Sequence, residues 1–143
     1  MSVPEGQRKQ SRLEVLVKAL EVATYTNQIL ANKKKFDPMY DDVLGNKIRD
    51  AGQNIYRYAR SANDLRVQKP VTQQIDPEAK EARYRLQTKA IQECGELLVL
   101  IDMAYGTYHL SAKRVEHWGR LTKTARDYLR KWREADKKRY DSS

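Results

Sequence analysis

At 143 residues the chain is long enough to bury one core without disulfide or metal staples, and 40% hydrophobic against 33% charged residues with only six Gly and four Pro suits long amphipathic helices better than short strands and turns. Lys and Arg outnumber Asp and Glu by 28 to 19, a formal charge of +9, so the summed field attracts polyanions such as nucleic acid, with acidic membranes responding similarly. A single cysteine, Cys94, excludes an internal disulfide framework. Residues 1–10 lack an apolar h-region and no apolar run approaches the roughly 18 residues of a membrane span, so the expectation is one soluble, cytoplasmic, all-α domain with no membrane contact.

Residues 1–10 read as a loose arm before a helix over 11–32, because Ser11 and Glu14 form a capping box ahead of an apolar run. Leu13, Leu16, Leu20, Ala23, Asn27 and Leu30 fall on one helical strip and Val15, Ala19, Val22, Thr26 and Ile29 on a neighbouring one. That face is wider than the roughly 100° stripe of a monomeric bundle helix, so the second strip is assigned to an oligomer interface, with a centrally buried helix as the alternative. Lys33, Lys34 and Lys35 follow, and Asp37-Pro38 supplies a cap and a first-turn proline for a helix over 38–67. Its core positions are Tyr40, Val43, Leu44, Ile48, Ala51, Ile55, Tyr58, Ala59, Ala62 and Leu65, with Gly45 and Gly52 tolerated inside it.

Asp76-Pro77-Glu78 repeats the start signature for a helix over 77–108, cored by Ala82, Leu86, Ala90, Cys94, Leu97, Ile101, Ala104 and Tyr108. Ser111 caps a last helix over 111–139, carried by Val115, Trp118, Leu121, Thr122, Ala125, Tyr128, Leu129, Trp132 and Ala135. Short links make neighbours antiparallel, so the pattern predicts an up-down-up-down four-helix bundle over 11–140.

Catalytic constellations are sparse. His109 and His117 are the only histidines, neither completes the Glu-x-x-His pattern of a di-metal bundle, and Glu78/Glu81 and Glu93/Glu96 fall on polar flanks. Cys94 lies on the apolar stripe, where a thiol is usually inert core filler. The single glycines Gly95, Gly106 and Gly119 build no phosphate loop. The reading is no catalytic residue, metal, cofactor or small-molecule substrate.

Positive charge is uneven, with eleven Lys or Arg against four Asp or Glu between Lys113 and Arg139. Lys123, Arg126, Arg130, Arg133 and Lys137 recur at three- and four-residue steps, a stripe about 20 Å long at 1.5 Å per residue. It reads either as a track for phosphates or as a solvated face whose last-turn cations complement the helix dipole. Arg49, Arg57 and Arg60 on the second helix and Arg83, Arg85 and Lys89 on the third tilt the balance towards phosphates. Tyr25, Tyr40, Tyr56, Tyr84 and Tyr140 sit near these charges and are candidates to stack on unpaired bases, although helix tyrosines more often pack at core margins.

Phe36-Asp37-Pro38, Ile48 to Asn63, Arg85 to Ala104, Ser111 to Trp118 and Trp132 to Asp136 together resemble the four-helix-bundle family of the accessory variability determinant of diversity-generating retroelements and the ribosomal-RNA intervening-sequence proteins. The chain departs from it at Met39, where members commonly carry a basic residue. The resemblance implies a ring-shaped, positively charged homopentamer without a catalytic centre, associating with a reverse transcriptase and its template RNA in mutagenic complementary-DNA synthesis. DNA is a further expected ligand. The alternative is a basic scaffold that recruits proteins or binds ribosomal RNA without a retroelement role.

Overall fold

The computed structural model describes residues 5–141, with side chains described from residue 14 onward. It is all-helical: α1 (Glu5–Leu30), a 3₁₀ turn (Pro38–Tyr40), a π turn (Asp41–Gly45), α2 (Asn46–Asp64), α3 (Pro77–Thr107) and α4 (Ala112–Asp141). Among the described residues no strand forms; an isolated antiparallel bridge between Gln68 and Ile75 closes the α2–α3 link. No helix among them is long and apolar enough to cross a membrane.

The caps read from the sequence form their bonds. Asp37 Oδ1 accepts from the Met39 N–H at 2.9 Å, Asp76 Oδ1 from the Glu78 and Ala79 N–H groups at 3.1 and 3.3 Å, and Ser111 Oγ from the Arg114 N–H at 3.2 Å. The boundaries differ at the start of the first helix and at both ends of the second, where α2 stops at Asp64 and Leu65 turns extended, short of the expected 67. α1 reaches back to Glu5, so Ser11 lies inside it and most of the expected arm is helical. A capping box permits a start without enforcing one, and Gln7, Arg8, Lys9 and Gln10 are unbranched residues that propagate a helix. Residues 1–4 of that arm, and the side chains of Ser11 and Leu13, lie outside the described residues. The second helix does begin turning at Pro38, but 3₁₀ and π turns precede the regular helix at Asn46. Those turns change the residues per turn, and the shifted phase puts Val43 in solvent at 63% exposure while Leu44 is buried. A Cβ on Gly45 would stand 2.9 Å from Asp41 Oδ1, so the π turn closes around a residue without a side chain.

α1 packs against α2 and α4, and α3 against the same two helices. Within these pairs the contacts run in opposite sequence order: Lys18 lies over the Tyr128 ring and Thr26 bonds Trp118, Tyr58 lies under Lys89 and Leu65 bonds Arg83, and Arg83 bonds Asp136 while Thr88 bonds Arg133. The core between them holds Ile48, Ile55, Leu97, Trp118 and Leu129 with essentially no exposure, each large aliphatic worth about 1.5–3 kcal/mol of burial. Phe36 seals one end, its ring 4.7 Å from Tyr108 and 6.3 Å from Trp118.

Both strips of α1 turn inward over most of their length, the centrally buried alternative: Leu16 and Ala23 of the first are buried and Leu30 packs on the core. Val15, Ala19, Val22, Thr26 and Ile29, assigned above to an oligomer interface, are buried inside the chain's own core. Trp118 Nε1 donates to Thr26 Oγ1 at 3.0 Å, so this strip is committed to α2 and α4 and offers no free face to a second copy. Leu20, expected in the core, is 46% exposed, and Val17 beside it 53%.

Candidate nucleic-acid interface

The basic stripe of α4 reaches the seam with α3 at Arg133. Lys123, Arg130 and Lys137 are exposed, while Arg126 and Arg133 are half-buried. Arg133 Nη1 donates to Thr88 Oγ1 of α3 at 3.0 Å and its guanidinium lies 5.4 Å from the Tyr84 ring centroid. Arg126 has its Nε buried without a hydrogen-bond partner among the described residues. The two half-buried arginines are therefore anchored by their stems and partly shielded from solvent, and low local dielectric strengthens their field.

The remaining predicted contacts stand on α2 and α3. Arg57, Arg60, Arg85 and Lys89 are all exposed or half-buried at the surface; Arg57 bonds Asn54 at 3.4 Å, Arg60 pairs with Asp64 at 3.6 Å, and the Lys89 ammonium lies 5.7 Å from the Tyr58 centroid. These residues and the Arg130–Lys137 part of the stripe occupy the half of the molecule where α2 ends, α3 begins and α4 ends. Lys33, Lys34 and Lys35 sit at the other end, beyond the Tyr25 contact with His117.

Arg83 is a correction. Counted among the surface cations from the sequence, it is 3% exposed and points into the core. Its Nε donates to Asp136 Oδ2 at 2.6 Å, Gln87 Nε2 donates to the same oxygen at 2.7 Å, and Arg139 Nη2 donates to Asp136 Oδ1 at 2.9 Å. The Arg83 guanidinium also stacks 5.0 Å from the Trp132 centroid. This network was missed because the α3 stripe was phased through Ala82 and Leu86, one residue from the buried Arg83 and Gln87. A signal existed in α4, where Trp118, Thr122, Ala125, Leu129 and Trp132 step onto Asp136 at core spacing.

The five tyrosines divide. Tyr25 packs on His117 and Trp118, Tyr40 on Tyr108, and Tyr56 against the core. Tyr84 and Tyr140 instead line one cavity of about 470 Å³ between the start of α3 and the end of α4, with Pro77, Lys80, Arg83, Asp136 and Lys137 among its walls.

Among the described residues no three of His, Cys, Asp and Glu gather to hold a metal. Burial pushes the Cys94 thiol up to about 12, against the opposing pull of Arg126 and Arg130, so at neutral pH it is a protonated core side chain. The Glu93 carboxyl is held above the usual carboxylate range, chiefly by burial and then by Glu96, against a hydrogen bond from Asn54. No family model, curated protein or solved structure matches the chain.

Proposed function

We propose that the chain is a non-catalytic RNA-binding accessory protein of a diversity-generating retroelement: an up-down-up-down four-helix bundle, assembled as a homopentameric ring, that presents template RNA to a reverse transcriptase in the cytoplasm. The observation that carries the nucleic-acid part is the side of α4 on which Lys123, Arg126, Arg130, Arg133 and Lys137 recur at three- and four-residue steps, with Arg133 reaching Thr88 and Tyr84 of α3. Such an array engages phosphate by charge, with little reading of sequence. The opposed order of contacts between neighbouring helices supports the up-down topology. The retroelement and its polymerase rest on the likeness of the segments quoted above, and no cofactor enters the reading.

Replacing Lys123, Arg126 and Arg130 together by Gln tests it. RNA affinity should fall, and the slope of log affinity against log salt should become shallower by about 2–3, since each phosphate left without its cation removes about 0.7–0.9 from that slope. Unchanged affinity and slope in a variant with the parent's helical signal would remove the stripe from the reading. A scaffold that recruits only proteins is favoured instead by one feature, the α1–α4 groove lined by Val17, Leu20, Thr24 and Leu121; parent protein that binds no RNA at low salt would decide for it.

A further inference from the structure

We propose that the cavity between the start of α3 and the end of α4 takes one unpaired nucleotide, its base against the Tyr84 and Tyr140 rings and its phosphate on Lys137 and Arg133. The inference rests on the RNA-binding reading of α4 and deepens it, making that surface one that prefers single strands. At about 470 Å³ the cavity has the volume for one nucleotide and lies in the range of small-molecule sites, roughly 300–1,000 Å³. Its walls combine what such a ligand needs. Tyr84 is 43% exposed, with the Arg133 guanidinium 5.4 Å from its centroid, and Arg139 lies 4.4 Å from the Tyr140 centroid. Both rings thus carry a cation beside an aromatic face, the combination that holds bases without regard to sequence.

The polar part of the lining is largely self-neutralised, since Lys80 pairs with Asp141 and Arg83 with Asp136. Glu81 adds an exposed carboxylate. That balance disfavours a bare inorganic anion in the cavity and leaves the phosphate to Lys137 of the wall and to Arg133, which stands behind the wall against the Tyr84 ring. Arg83 directs Nε to Asp136 and Nη1 to the Leu65 carbonyl, while its Nη2 has no acceptor among the described residues. A base held in a duplex stack cannot reach these rings without unpairing, which costs a few kcal/mol.

The test compares a short single-stranded oligouridylate with an RNA duplex of equal charge, on the whole chain. Tyr84→Leu/Tyr140→Leu should weaken the single strand by about 5- to 100-fold, as removal of base stacking does, and leave the duplex unchanged. Tyr84→Phe/Tyr140→Phe should keep the parent's affinity for both. Parent-like single-strand binding by the leucine pair overturns the nucleotide site while the stripe stands, provided the Lys123/Arg126/Arg130 variant loses both RNAs. If the parent binds neither RNA, the reading of α4 fails and this inference fails with it.

Discussion

Asp136 shows how much a single side chain can carry. At 6% exposure it accepts from Arg83, Gln87 and Arg139, and the sequence placed it in the last turns of a basic helix where a carboxylate is ordinarily solvated. Only a partner 53 positions away in α3 makes it a core residue, and no local pattern encodes that distance. Removing the carboxylate leaves Arg83 charged and unpaired inside the molecule, so Asp136→Ala should cost about 3–5 kcal/mol. Arg83→Met/Asp136→Leu should lose much less, because both charges leave together. Denaturant midpoints at constant slope measure this, and an Asp136→Ala variant as stable as its parent would mean the pair is wet in solution.

At the scale of elements, the starts at Asp37, Asp76 and Ser111 were legible because a cap is written in three or four consecutive residues. The orientation of α1 was not, because Val17 and Leu20 are as apolar as Val15, Leu16 and Val22, and only the neighbours decide which of them stay in solvent. The decisive contact involves a glycine that the sequence presented as merely tolerated. A Cβ on Gly52 would stand 2.9 Å from Thr26 Cγ2 and 3.1 Å from its Oγ1, so α1 and α2 meet closely there, next to the Trp118–Thr26 hydrogen bond. Gly52→Ala should destabilise by about 1–3 kcal/mol through overpacking. Thr26→Ser removes the Cγ2 and keeps the hydroxyl, so in the Gly52→Ala background it should recover part of the loss. Additive effects of the two changes would show that the crossing has room, contrary to this geometry.

For the whole molecule, charge and assembly become one question. On the proposed reading, the basic stripe of a single protomer offers a handful of phosphate contacts, whereas a ring would repeat it and engage one RNA at several stripes, each further engagement being intramolecular once the first is made. If copies join, the apolar side chains that α1 and α4 leave in solvent are where the chain can give up surface without opening its core: Val17 and Leu20, with half-buried Leu121. Leu20→Lys separates the two effects, since it plants a charge in that interface while adding positive charge to the protomer. By charge alone it should bind RNA slightly better. As a breaker of the ring it should sediment at the mass of one protomer and bind RNA more weakly with a shallower salt slope. A variant with the parent's mass would take Leu20 out of the interface, and a lone protomer that binds RNA as tightly as the parent would separate RNA binding from assembly.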